Sequence, residues 1–158
     1  MIWALKCRYT VLGMDGTFKA KPEKFKQLYV VFGSRGDSSS KIYPCAYVLL
    51  PNKDAATYSH MLTVLAKEVG SKPSKVCIDF EQAAIKAVYN IFGPKTSVRG
   101  CRFHRKKNLF DQVKHKKCAN LFYNSESFQV GLDLVYNLDM VPPSDVGHVF
   151  KHVVELYF

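Results

Sequence analysis

The segment TVLGMDGTFKA, residues 10–20, places an aspartate and a glycine directly after an apolar stretch. Val11, Leu12 and Met14 are typical of a buried strand, so Asp15 stands where an apolar residue would be more stable. Two explanations are open. Asp15-Gly16 is a common turn dipeptide, and a carboxylate at the end of a strand is also a ligand for a divalent cation.

Around this segment the sequence predicts a mixed α/β sheet. The first strand is expected at residues 9–14, and two more at 27–33 and 42–50, separated by turn-forming residues. Three consecutive strands with short connections are typical of an antiparallel meander. Pro44 has no backbone N–H, so the third strand should be irregular near its start.

The apolar period changes after Asp54, where a helix is predicted to continue to Gly70. Its apolar face is expected to consist of Tyr58, Met61, Leu62, Leu65 and Val69. A short strand at 75–79 and a second helix ending at Gly93-Pro94 follow, so parallel strands with right-handed crossovers are expected. The remaining elements are a strand within 96–103, a basic helix at 104–118 and a helical segment at 120–158, broken at Pro142-Pro143 and capped again by Ser144.

Composition points to a globular domain with a polyanionic partner. The 158 residues suit one domain, and 23 Lys and Arg against 13 Asp and Glu give a formal charge of +10. This charge favours nucleic acid first and an anionic membrane surface second. No apolar run approaches the roughly 20 residues of a membrane helix, so we expect a soluble, intracellular protein without membrane contact.

The cysteines are odd in number and scattered, which argues for reduced thiols in a cytosolic or nuclear setting. They are Cys7, Cys45, Cys77, Cys101 and Cys118.

A second carboxylate, Asp79, follows the fourth predicted strand. If strands one and four are adjacent, Asp15 and Asp79 converge at one edge of the sheet and can bind Mg²⁺. The alternative is a helix cap, because Asp79 with Gln82 three residues later has the spacing of a capping box.

Zinc-capable side chains occur at Cys101, His104, His115 and Cys118. A continuous helix rises about 1.5 Å per residue, so His104 and His115 would lie roughly 16 Å apart. This distance disfavours a single four-ligand zinc site.

The basic segment from residue 99 to 117 carries eight Lys and Arg against one acid, Asp111. Such a run is often only a solvated helix face, but with the overall charge it favours contacts to a phosphate backbone. The candidate DNA-binding residues are Arg102, Arg105, Lys106, Lys107, Lys114, Lys116 and Lys117.

Four segments in this order and spacing resemble the catalytic domain of Mutator-like element (MULE) transposases. They are MDGTFKAKPEKFKQLYVVFG, YPCAYVLLPNKDAATYSHMLTVL, KVCIDFEQAAIKAV and GCRFHRKKNLFDQV, and the resemblance extends over residues 9–158.

The resemblance implies an RNase H-like fold: three antiparallel strands, then parallel strands, flanked by helices, with a helical C-terminal segment. It implies a DDE set of metal-binding carboxylates that cut and join DNA, with Asp15 and Asp79 as the first two acids and Cys101 and His104 as the family's Cys-x-x-His motif. The expected cofactor is Mg²⁺ or Mn²⁺, the partners are transposon ends and target DNA, and the location is the nucleus. A homo-oligomer is compatible with this activity.

The third acid is where this sequence departs from the family. A glutamate is expected after a helical insertion, and the nearest candidate, Glu155, lies in an apolar stretch typical of the preceding helix. We therefore expect a core at 1–118, the start of the insertion at 119–158, and a chain that stops before the third acid. Whether it is an enzyme is left open. The alternative function is a non-catalytic DNA-binding or protein-interaction domain derived from a transposase.

Overall fold

The computed structural model describes residues 2–4, 9–36, 41–69 and 72–158, with the backbone alone at 2–4. The sequence expectations for Cys7 and Gly70 lie outside the described residues. The strands are β1 Ile2–Ala4, β2 Val11–Thr17, β3 Gln27–Ser34, β4 Tyr43–Leu50, β5 Lys75–Ile78 and β6 Ser97–Gly100. The helices are α1 Ala55–Val69, α2 Gln82–Phe92, α3 Arg102–His115, α4 Ala119–Asn124, α5 Glu126–Tyr136, a 3₁₀ helix Asn137–Met140 and α6 Val146–Tyr157.

The described strands form one mixed sheet in the order β1-β4-β3-β2-β5-β6. β2, β3 and β4 pair antiparallel, while β5 is parallel to β2 and β6 is parallel to β5. The predicted meander followed by parallel strands is therefore confirmed. Sequence analysis missed β1, which pairs antiparallel with β4.

One face of the sheet forms the core with α1 and α2. Leu12 and Met14 of β2 and Val31 of β3 are buried in one cluster with apolar residues of both helices, including Leu62 and Val88. This is the helix face predicted from the sequence for α1, whose Tyr58, Met61, Leu62 and Leu65 are all at most 2% exposed. α2 ends at Phe92, where Gly93 takes a φ of +91° that favours glycine.

Two local expectations at the strands have clear outcomes. Asp15 and Gly16 do not form a turn, because both lie inside β2 and pair with Val30 and Tyr29 of β3. The predicted irregularity near Pro44 is confirmed, since the register between β3 and β4 shifts between Val31 and Phe32, next to the Phe32–Pro44 pair.

Backbone contacts divide the chain into two compact units, Met1–Cys101 and Arg102–Phe158. The sequence boundary between residues 118 and 119 stays a prediction. In the second unit the helical C-terminal segment is confirmed, but Ser144 does not cap α6. Asp145 occupies the N-cap position, and the Ser144 hydroxyl donates to its carboxylate at 2.9 Å.

Among the described residues, no helix is long and apolar enough to cross a membrane.

Candidate functional site

Asp15 lies on the sheet face opposite the α1–α2 core. Side chains alternate along β2, so that Leu12 and Met14 are buried against the helices, while Gly13 and Asp15 point to the other side and Asp15 is exposed. Asp15 therefore lies on the exposed face of the sheet and not in the core.

Asp79 directly follows β5, the strand adjacent to β2. The parallel register pairs Gly13 with Cys77, and an extension of this register by two residues would bring Asp15 opposite Asp79, which itself lies just beyond the end of β5. The predicted adjacency of the two strands is thus confirmed. Because neighbouring strands are about 4.8 Å apart, two aligned carboxylates can share one cation.

The backbone next to Asp15 is closely packed. A Cβ atom at Gly16 would lie 2.6 Å from Oε1 of Gln27 and 3.1 Å from the Tyr29 ring. Only glycine fits under these two side chains without displacing one of them. The glycine that suggested a turn is therefore required by a close approach within the sheet.

Asp79 is not the N-cap of α2, so the capping-box interpretation is wrong. The helix begins at Gln82, and Glu81 occupies the N-cap position without a side-chain cap hydrogen bond. The Asp79 carboxylate instead accepts a hydrogen bond from the Phe80 amide at 2.6 Å. This bond orients Asp79 within the loop that joins β5 to α2.

Several acidic groups collect at this end of the sheet. Burial raises the pKa of the Tyr29 phenol well above its ordinary value, and Tyr58 and the carboxylates of Glu81, Asp15 and Asp79 raise it further. The Tyr29 hydroxyl therefore interacts electrostatically with all three carboxylates, and it stays protonated at neutral pH.

Glu81 is a charged residue at this end of the sheet that was not predicted from the sequence. Its carboxylate accepts a hydrogen bond from the Tyr58 hydroxyl at 2.9 Å and forms an ion pair with Lys53 at 3.4 Å. The signal was present, because Glu81 follows Asp79 in the DFE motif. Its partners, however, come from α1 and from the loop before it.

The donor set suits a hard cation held by few protein ligands. Among the described residues, no group of three or more His, Cys, Asp and Glu side chains is arranged to hold a metal ion. Asp15 and Asp79 provide two carboxylates, which matches the way Mg²⁺ is bound by one or two carboxylates together with water and substrate phosphates.

The Cys and His residues are divided between the two units. Cys101 follows β6, and its thiol adjoins that of Cys77, whose pKa is raised first by burial and then by Cys101. His104 is in the first turn of α3, and His115 is its last residue. Since α3 is continuous between them, they are roughly 16 Å apart and cannot share one zinc ion. Catalytic roles for Cys101 and His104 remain predictions.

Three of the seven candidate DNA-binding residues surround one aromatic ring. Arg102, Arg105 and Lys106 each lie over the ring of Tyr136, at 5.0, 5.2 and 5.0 Å from its centroid. Both arginines also form ion pairs of 3.1 Å with Asp139. Tyr136 and Asp139 were missed from the sequence because they lie in a separate segment, more than 30 residues after Arg102.

The other cations extend along and beyond α3. Lys107 pairs with Asp111 at 2.8 Å, and this contact, with lesser effects of Lys114 and His115, lowers the pKa of Asp111. Lys114 lies 4.5 Å from the centre of the Phe110 ring. Lys116 and Lys117 follow the helix, are exposed, and make no ion pair with any residue in the described part of the chain.

Glu155, the candidate third acid, is an exposed residue of α6. Its carboxylate lies 3.8 Å from the Lys151 ammonium, one helical turn earlier. Within the second unit it therefore belongs to a surface ion pair of the ordinary i,i+4 type.

No curated protein sequence matches the chain. A family model does match, the MULE transposase domain, over residues 11–108. The matched region contains both aspartates, Cys101 and His104, and it ends within α3. Since it covers more than half of the 158 residues, the chain belongs to the MULE transposase domain family, which supports a transposase-type function.

Proposed function

We propose that this chain carries the first two metal-binding acids, but not the third, of the catalytic domain of a MULE-type transposase, which cleaves and joins DNA strands in the nucleus. The observation that carries the proposal is the parallel pairing of β2, which contains Asp15, with β5, which Asp79 directly follows, inside the region that the family model matches. The strand order β4-β3-β2-β5-β6, with the first three antiparallel, supports an RNase H-like assignment.

Asp15 and Asp79 would hold Mg²⁺ or Mn²⁺ between them. The chemistry supplied at such a site is Lewis-acid activation of the attacked phosphate and of the attacking oxygen. Asp15 is suited to this because it is exposed on the face away from the core. Asp79 is suited because the Phe80 amide orients its carboxylate.

The cations of α3 and the following turn would bind the DNA backbone. Contacts of these cations to phosphate would not depend on the DNA sequence, so the affinity for DNA should fall steeply as the salt concentration rises. The proposed site consists of Asp15 and Asp79 and does not include Glu155, which forms an exposed ion pair with Lys151 within α6.

A metal titration followed by manganese EPR tests the proposal. We expect the protein to bind Mn²⁺, and Asp15→Asn and Asp79→Asn each to lose at least 10-fold in affinity, because each removes one of two anionic ligands. Asp133→Asn, which removes an exposed carboxylate of α5, and Glu155→Gln should match the unchanged protein. Equal affinity in all four variants would refute the carboxylate site.

A second measurement separates the alternative function, a transposase-derived DNA-binding domain without catalysis. Both candidates share the cations of α3 and differ at the carboxylates. Nicking of supercoiled DNA with Mn²⁺, lost in Asp15→Asn, supports catalysis. Salt-dependent DNA binding that is retained in a protein without metal binding or nicking would assign the alternative.

A further inference from the structure

A chain of polar contacts joins the two loops that follow the candidate aspartates. The ammonium of Lys53 lies 4.5 Å from the centre of the Phe18 ring, and Phe18 is the last residue of the segment DGTF that begins with Asp15. The same ammonium lies 3.4 Å from the carboxylate of Glu81, the last residue of the segment DFE that begins with Asp79. One lysine from the segment between β4 and α1 therefore contacts both motifs.

The chain continues into the core through two buried polar side chains. The Tyr58 hydroxyl donates to Glu81 at 2.9 Å and accepts from Nε2 of Gln27 at 2.7 Å. Tyr58 is fully buried and Gln27 is 1% exposed. Gln27 in turn packs with its Oε1 against the backbone of Gly16, next to Asp15. We call Phe18, Lys53, Glu81, Tyr58 and Gln27 the loop link.

The buried part of the loop link is directional. The pKa of the Tyr58 phenol is raised, mainly by burial, so Tyr58 stays a donor to the Glu81 carboxylate at neutral pH. An apolar pair at positions 27 and 58 would avoid the cost of desolvating an amide and a hydroxyl. The arrangement is thus better suited to fixing Glu81 than to maximal core stability.

We propose that Glu81, held between Lys53 and Tyr58, is a positioning residue that sets the separation of Asp15 and Asp79, and through it the affinity for the divalent cation. This inference rests on the proposed metal site and extends it to residues that need not touch the cation. Outer-shell partners of metal ligands typically change affinity by about 10–100-fold. The loop link acts through the backbone, so we expect a smaller loss, roughly 3- to 10-fold.

The test is a manganese EPR titration of the whole chain and its variants, with thermal unfolding followed in parallel. Tyr58→Phe and Glu81→Gln should weaken Mn²⁺ binding at a temperature where every variant is folded. Tyr89→Phe removes the hydroxyl of an exposed tyrosine of α2 and should bind as the unchanged protein does.

Two further variant sets separate positioning from general destabilisation. Gln27→Met combined with Tyr58→Phe removes both buried polar partners, so it should recover much of the stability lost in Tyr58→Phe and none of the affinity. Lys53→Met should weaken binding and Lys53→Arg should restore it, because arginine can contact both a carboxylate and an aromatic ring. Since Lys53 is partly exposed, these variants are expected to fold.

The outcomes are distinct. Wild-type affinity in Glu81→Gln and in Lys53→Met would overturn the positioning role while leaving the metal site intact. Affinity that follows thermal stability across all variants would also overturn it. An unchanged protein that binds no Mn²⁺ would refute the proposed function itself, and this inference with it.

Discussion

The arginines that begin α3 are held by an acid that a DNA phosphate would have to displace. Asp139 pairs with Arg102 and with Arg105, both at 3.1 Å, while Asn137 accepts a further bond from Arg102 at 2.6 Å. Replacement of Asp139 by Asn removes the competing charge and leaves a side chain of the same size. We expect Asp139→Asn to bind DNA more tightly than the unchanged protein.

The magnitude follows from the exposure of the two ion pairs. The three side chains are 31–44% exposed, so each pair is screened and contributes roughly 0.2–1 kcal/mol. Releasing both pairs would favour DNA by about 0.4–2 kcal/mol, which corresponds to roughly 2- to 30-fold in affinity. Each arginine that gains a phosphate should also steepen the slope of log affinity against log salt by up to about 0.9.

Fluorescence anisotropy with a duplex of random sequence, at several KCl concentrations, measures both quantities. Asp133→Asn is the matched control, because it removes the same charge from an exposed position of the same unit. If Asp139→Asn and Asp133→Asn change affinity and slope equally, only net charge matters. Arg102 and Arg105 would then not contact phosphate.

Two further predictions concern Gly16 of β2 and Tyr29 of β3, which pair with each other next to Asp15. Gly16→Ala should destabilise the fold by about 1–3 kcal/mol in chemical denaturation, because the new Cβ would displace Gln27. The control is Gly147→Ala, where a new Cβ meets no atom within 4 Å, so its effect should be neutral or slightly stabilising. Equal effects of the two substitutions would contradict the close approach at Gly16. Because burial raises the pKa of Tyr29, its phenol ionises near pH 10.0 in the unfolded chain and only at higher pH in the folded chain. The stability that comes from the neutral Tyr29 is therefore fully present below pH 10.0 and is lost as the pH rises further. Tyr29→Phe should reduce the alkaline loss of stability and Tyr123→Phe, at an exposed position, should not; the opposite result would refute the assignment.

Much of the first unit was predictable because its signals are local. Apolar period alone identified the buried face of α1, and Pro44 predicted the irregular pairing of β4. Asp15 was recognised because a charge in an apolar strand conflicts with burial. The predicted strand ends at Met14, whereas β2 continues to Thr17. The turn propensity of Asp15-Gly16 does not include the packing of Gln27 over Gly16, which the sequence alone does not report.

The missed residues share a different property. Lys53 and Glu81 make contacts between segments 23 or more residues apart, as the Tyr58–Glu81 bond illustrates. Asp139 likewise meets α3 from a later segment. Such contacts depend on tertiary structure and not on propensity or spacing. The number of Lys and Arg residues in α3 therefore overstates how many of them are unpaired and free to contact DNA, because Arg102, Arg105 and Lys107 form ion pairs.

The two parts of the proposed activity depend on different kinds of structure. The carboxylate pair requires β2 and β5, which are about 60 residues apart in the chain, to meet in one register. A single residue of slip would turn Asp15 toward the core face. The cations of α3 require only one helix, in the other compact unit. If the proposed function is correct, substitutions in the sheet would abolish metal binding while DNA binding persists, whereas substitutions around Asp139 would alter DNA binding without changing the pairing of β2 with β5. A transposase-derived domain without catalysis would therefore still bind DNA through the basic helix.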